Sequence, residues 1–135
     1  MINIINMINI ISKINMRVLF TIFIVLLLID SVFLYTLKSM FNKQIIEIQG
    51  SPIAINIHAA IICYVFLVFG LYYFIVREKK GIFESFLLGL IIYGVYETTT
   101  LTLLKKWHYK TAIIDTLWGG VLFALTTKIV YYLQK

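Results

Sequence analysis

The sequence predicts an all-α, polytopic membrane protein: an antiparallel bundle of four transmembrane helices. Three observations predict it. The chain is 61% hydrophobic and only 13% charged over 135 residues, whereas a soluble domain is about half apolar and about a quarter charged. The apolar residues fall in four blocks, each of ~20 residues or more, long enough for a ~30 Å hydrocarbon core. Most Lys and Arg residues stand between or beside those blocks, where bilayer orientation and anionic headgroups place them. The net charge of +6 therefore points to the lipid bilayer as partner and not to nucleic acid. Cys63 is the sole cysteine, which excludes an intrachain disulfide and zinc-type spacing; it reads as a small apolar helix residue.

Taken in order, residues 1–15 form a low-complexity segment, MINIINMINIISKIN, with no small-residue cleavage site after a short apolar core. An interfacial position and disorder are both open for it. Residues 16–135 form the membrane domain, with helices expected at about 17–37, 53–76, 82–104 and 111–133. Lys38 to Gln49 reads as a polar connection. Gly50-Ser51-Pro52 reads as the start of the second helix: Gly breaks, Ser caps, and Pro suits the first turn. Arg77-Glu78-Lys79-Lys80-Gly81 ends that helix, and Lys105–Lys110 joins the third to the fourth. Such short connections impose an up-down arrangement. With the N-terminus inside, the inner side collects Lys13, Arg17, Arg77, Lys79, Lys80, Lys128 and Lys135; the outer side collects Lys38, Lys43, Lys105, Lys106 and Lys110. Seven against five places both termini in the cytoplasm. Tyr72, Tyr73, Trp107, Tyr109, Tyr131 and Tyr132 fall at span ends, as an aromatic belt does.

The residues that do not belong in such spans are the candidates for function. Glu97 interrupts an apolar block within Tyr93-Gly94-Val95-Tyr96-Glu97-Thr98-Thr99-Thr100, and Asp30 and Asp115 interrupt two others. At ~1.5 Å per residue, Asp30 and Glu97 lie roughly 20 Å above the inner boundary, Asp115 roughly 6 Å below the outer one and His58 roughly 8 Å below it. One ionisable residue per helix thus falls in a common outer-half layer. Each buried acid costs ~2.5–3.5 kcal/mol on insertion scales, so such residues face the bundle interior, find partners or line a wet cavity. Like charges raise one another's pKa, so three adjacent carboxyls require protonation, a cation or the His58 imidazolium. Tyr93 and Thr100 share the Glu97 face at spacings of four and three, as Trp118 shares that of Asp115. Ser85/Gly89 and Gly120/Ala124 are small pairs at spacing four that let helices approach closely. The threonines can bond across helices or back to their own carbonyls.

These motifs carry a resemblance. Tyr93-Gly94-Val95-Tyr96-Glu97-Thr98-Thr99-Thr100, followed by Ile114-Asp115-Thr116-Leu117-Trp118-Gly119, resembles the domain-of-unknown-function family 2177, four-helix membrane proteins found mostly in bacteria. The resemblance covers about residues 17–133. Asp30 and Leu34 fit an Asp-x-x-Trp-Leu pattern in which Phe33 takes the place of Trp. Tyr93, Gly94, Tyr96 and Thr99 fit a Tyr-Gly-x-Tyr-Asp-x-Thr-Asn pattern, with Glu97 for Asp and Thr100 for Asn. Asp115, Trp118 and Gly119 match directly, and His58 lies outside the pattern. The resemblance implies fold and membrane location, not an activity.

Three function classes stay open. The acids Asp30, Glu97 and Asp115, supported by Tyr93, Tyr96, Thr99, Thr100, Trp118 and His58, suit a cation or proton site serving binding or transport. Transport through so small a bundle calls for a homo-oligomer. The same acids suit interhelical hydrogen bonding in a structural module. Glu97, Asp115 and His58 could supply acid–base groups to an enzyme acting on a lipid, but no nucleophile motif, His-Glu-x-x-His metal motif or phosphate-binding Gly loop is present. No cofactor is evident, the metal is unspecified, and a bound cation is compatible with the acids.

Overall fold

A computed structural model describes residues 3–135, so the first two residues of the low-complexity segment lie outside the described residues. Six helices follow: α1 (Ile4–Ser12), α2 (Met16–Thr36), α3 (Lys38–Gln49), α4 (Ile57–Leu71) with a π-helical turn at Tyr72–Val76, α5 (Ile82–Leu103) and α6 (Tyr109–Leu133). Four are long and apolar enough to cross a membrane: Met16–Thr36, Ile57–Val76, Ile82–Leu103 and Tyr109–Leu133. The all-α, four-span architecture is the one expected from composition.

Local chemistry explains where the spans begin. Asn15 caps α2, its Oδ1 accepting from the N–H groups of Arg17 (3.1 Å) and Val18 (3.3 Å). Asn3 does the same for α1, accepting from the Asn6 N–H at 2.8 Å. The N-terminal stretch is therefore helical from Ile4, with Ile4, Ile5, Met7, Ile8 and Ile11 exposed, as in a helix lying at an interface.

Two expected boundaries shift. The polar connection Lys38–Gln49 is itself a helix, α3, ended by Gly50 at φ +76°, the left-handed conformation glycine adopts without steric cost. Gly50 thus caps the preceding helix and does not open the next one. The second span starts at Ile57, four residues later than Ile53, because Asn56 is its cap, accepting from the Ala59 N–H at 3.1 Å. The intervening residues are tied back to α3: the Gln49 amide donates to the carbonyls of Ser51 (3.0 Å) and Pro52 (2.9 Å), and Asn42 Oδ1 accepts from the Ile53 N–H (3.1 Å). Hydrogen bonds five residues apart, Arg77 N–H to Tyr72 O and Lys80 N–H to Ile75 O, widen the end of α4 into its π turn.

The helices do not pack simply in chain order. α5 and α6 form the most extensive pair, α6 packs on α2, and α2 on α4, whereas the consecutive α4 and α5 are not a closely packed pair. The α5–α6 seam is a backbone-to-backbone approach at Gly89 and Gly119, reinforced by Ser85 Oγ, which donates to Phe123 O at 2.9 Å and shares a 2.6 Å bond with Thr127 Oγ1. The core of Ile22, Leu26, Leu71, Leu122, Phe123 and Val130 lies where α2, α4 and α6 meet. The outer flanks stay apolar and exposed, among them Phe20, Leu28, Phe66, Phe83 and Val95, as lipid-facing surfaces are.

Candidate functional site

Asp30 lies six residues before the end of α2, Glu97 six before the end of α5, and Asp115 six after the start of α6. Because these three ends lie on one side of an up-down bundle, all three acids sit ~9 Å below it. The sequence places them in one layer; the side chains divide that layer in two.

Asp30 is 6% exposed and fully engaged. Its Oδ2 accepts from the Tyr64 hydroxyl at 2.5 Å and its Oδ1 from the Trp118 indole N–H at 2.9 Å. One carboxyl therefore ties α2 to α4 and α6. Phe33, one turn along α2, stacks on the Trp118 ring with centroids 4.3 Å apart and planes 4° from parallel. The indole is held on its face and on its nitrogen by one helix.

Glu97 is 1% exposed, and its Oε2 accepts from the Trp107 indole N–H at 2.7 Å. Trp107 is consequently not a belt residue. It is 8% exposed, folded inward from the α5–α6 connection. Tyr72 is likewise buried, at 3% exposure, with its hydroxyl accepting from the Asn15 N–H at 3.0 Å. Each aromatic left the belt because its polar atom found a partner inside.

Asp115 is the least covered of the three acids. Its carboxyl neighbours that of Glu97. Apart from that carboxyl, no N–H or O–H group among the described residues donates a hydrogen bond to it. It also lines a cavity of about 310 Å³ in the gap between α4 and α5, with Cys63, Phe66 and Leu67 on one wall and Ile92, Tyr93 and Tyr96 on the other. The gap exists because α4 follows α2 instead of closing against α5.

α3 lies over this end of the bundle. Its buried Gln44 donates from Nε2 to Lys106 O at 2.7 Å, while its Oε1 accepts from His108 N–H at 2.9 Å and Thr111 Oγ1 at 3.3 Å. A single amide thus fastens α3 to the start of α6 and to the loop that carries Trp107. His108 Nε2 and Glu47 Oε2, 3.2 Å apart, and Lys106 Nζ donating to Glu47 O at 3.3 Å, add exposed contacts. Gln44→Ala is expected to cost about 1–3 kcal/mol, since it strands buried groups, and to accelerate amide exchange in α3 and residues 104–108. Exchange unchanged by mass spectrometry would contradict this fastening role.

The remaining sequence candidates fall into place around these groups. Tyr93 and Tyr96 line the cavity with Asp115, and Trp118 serves Asp30. Thr100 donates back to Tyr96 O at 2.8 Å, as Thr98 does to Gly94 O at 2.7 Å, so these hydroxyls serve their own helix. Thr99 is exposed. His58 is exposed in the first turn of α4, nearer the helix end than expected because α4 starts at Ile57. The hydrogen bonds of the acids involve neither. No group of three or more His, Cys, Asp and Glu side chains that could hold a metal ion forms among the described residues. Tyr64, Trp107 and Gln44 are the partners that sequence reasoning missed. A tyrosine in mid-span, an indole at a span end and an amide in a polar stretch each have an ordinary explanation until their partners are known.

No curated protein and no solved structure matches the chain. A family model does, over residues 15–132, which include all three acids and all four spans but for the final Leu133; its description is that of a predicted membrane protein. The match covers well over half of the sequence, so the chain belongs to the DUF2177 family of predicted membrane proteins.

Proposed function

We propose that this protein binds a proton within the membrane, at the Glu97–Asp115 carboxyl pair, and exchanges it through the gap between α4 and α5. The observation that carries the reading is the position of Asp115, beside a second carboxyl and facing an open cavity. Two adjacent carboxyls cannot both stay ionised at low cost, so the pair holds either a shared proton or a cation. Two carboxyls in a largely apolar surround suit the proton better, because Ca²⁺ takes about six to eight oxygen ligands. Asp30 has a different part. With both oxygens taken by Tyr64 and Trp118, it is a register-fixing anchor. We place both termini in the cytoplasm, from the seven-to-five distribution of Lys and Arg. Proton movement across the whole bilayer would use a homo-oligomer, since the acids occupy only one side of the bundle.

The test is infrared difference spectroscopy of the full chain in lipid vesicles during a pH change. The parent is expected to show a protonated-carboxyl C=O band, shifted in deuterium oxide, that titrates with pH. Asp115→Asn and Glu97→Gln should each abolish or move it, and Asp30→Asn should leave it. A band that persists in both pair variants would sink the reading. Proton flux measured with an entrapped pH dye, and lost in the same two variants, would extend binding to transport.

A further inference from the structure

We propose that the end of the bundle where α2 begins and α6 ends holds the headgroup of an anionic phospholipid. This inference concerns the face opposite the acids, and it stands or falls independently of the proton site.

Two adjoining hollows lie there, of about 500 and about 730 Å³. Asn15, Tyr72, Arg77, Lys79, Tyr131 and Gln134 are among the residues around the first. The second shares Asn15 and Gln134 and adds Arg17 and Lys135. Four cations thus face one basin, and no Asp or Glu side chain lines either part. Of the neighbouring acids, Glu84 is turned toward Gly81, whereas Glu78 pairs with Arg77 at 2.8 Å from outside the lining and offsets part of that one cation's charge.

The walls of this basin are fixed. The Tyr72 hydroxyl accepts from the Asn15 N–H at 3.0 Å, which joins the π turn to the start of α2. The Tyr131 hydroxyl donates to Lys80 O at 2.7 Å and Ile75 O at 3.3 Å, which joins the same turn to α6. Arg77 is held over the Tyr73 ring, 3.9 Å from its centroid. Lys79 is the one non-glycine residue with positive φ among the described residues, at 52°. Glycine would take that conformation without strain; a lysine there keeps an ammonium at the rim despite it. Backbone strain of this kind is a pointer to function when something local exploits it, and π turns recur at functional sites.

The ligand class follows from charge and depth. Arginine and lysine together are the side chains that hold phosphate oxygens. The four cations, Arg17, Arg77, Lys79 and Lys135, stand within a turn of the span ends Met16, Val76 and Leu133, which is headgroup level. Val18 and Val76 in its wall continue into the apolar helix sides, along which acyl chains lie. Basic hollows between transmembrane helices at this level bind anionic headgroups.

The test uses the full chain in phosphatidylcholine vesicles doped with phosphatidylglycerol, comparing nitroxide-labelled forms of the two lipids by electron spin resonance. The parent is expected to immobilise the anionic lipid preferentially. Arg77→Gln with Lys79→Gln should lower that preference about fivefold per cation removed, and Lys105→Gln with Lys106→Gln, an equal loss of charge on the opposite face, should leave it. Lys79→Gly relieves the strained backbone, so lower selectivity in that variant is not a folding defect. The proposal is overturned if the parent shows no preference, if both double variants lose it equally, or if Lys79→Gly retains it in full. Displacement of the lipid by inorganic phosphate would overturn the lipid as the source of the phosphate group.

Discussion

Gly89→Ala is expected to force α5 and α6 apart and to destabilise the fold by about 1–3 kcal/mol or more. A Cβ at Gly89 would stand 2.1 Å from Gly119 O and 2.8 Å from both Gly119 C and Phe123 Cγ. Two of those atoms are backbone and cannot rotate away, so one helix must move. Intrinsic propensity points the other way, since alanine is favoured over glycine in a helix by about 0.8–1 kcal/mol. The clash exceeds that gain because the α5–α6 pair is the most extensive contact in the molecule. Gly70 supplies the control. A Cβ there meets nothing within 4 Å, so Gly70→Ala should raise stability by about 0.5–1 kcal/mol. Unfolding in mild detergent, followed by circular dichroism, should move in opposite directions for the two variants. Shifts of the same sign and size would refute the close approach.

That seam shows what a sequence of this kind makes legible. Hydrophobic length marks a transmembrane helix almost regardless of its neighbours, because every backbone polar group in hydrocarbon must be satisfied within the segment. All four spans could therefore be read before any contact was known. The small residues Ser85 and Gly89 also pointed to the right face of α5. Helix order around the bundle is a different matter. It depends on which small residue meets which ring or carbonyl, and Gly89 meeting Gly119 sets α6 between α5 and α2. From that follows the open gap in front of Asp115, which loop lengths alone would have closed. α3 was hidden for a local reason: Lys38–Gln49 is too polar to be a span, and its anchor is a single amide, Gln44. The acids could be found by their cost in a membrane, whereas their partners could not. Trp107, ten residues beyond Glu97, has the composition and place of a belt residue until its indole nitrogen is seen on the carboxylate.

The partners decide how differently the acids respond to removal. Asp30→Ala is expected to cost about 2–4 kcal/mol: two interhelical hydrogen bonds at ~0.6–1.7 kcal/mol each, plus the penalty of leaving buried donors unpaired. The Tyr64 hydroxyl and the Trp118 N–H would both lose their acceptor, and the link from α2 to α4 and α6 would go with them. Asp115→Asn should do the opposite or nothing. Asparagine keeps a carbonyl to accept any proton that Glu97 carries, no other donor among the described residues is stranded, and the substitution removes a group of like charge from beside Glu97. Stabilising substitutions commonly yield ~0.5–2 kcal/mol, and at a destabilised functional site the gain comes with loss of function. A gain of that size, together with loss of the titrating carboxyl band, would separate the roles of the two residues within one layer. Equal destabilisation by Asp30→Ala and Asp115→Asn would instead make every acid in the layer an anchor, and the intramembrane proton site would lose its physical basis.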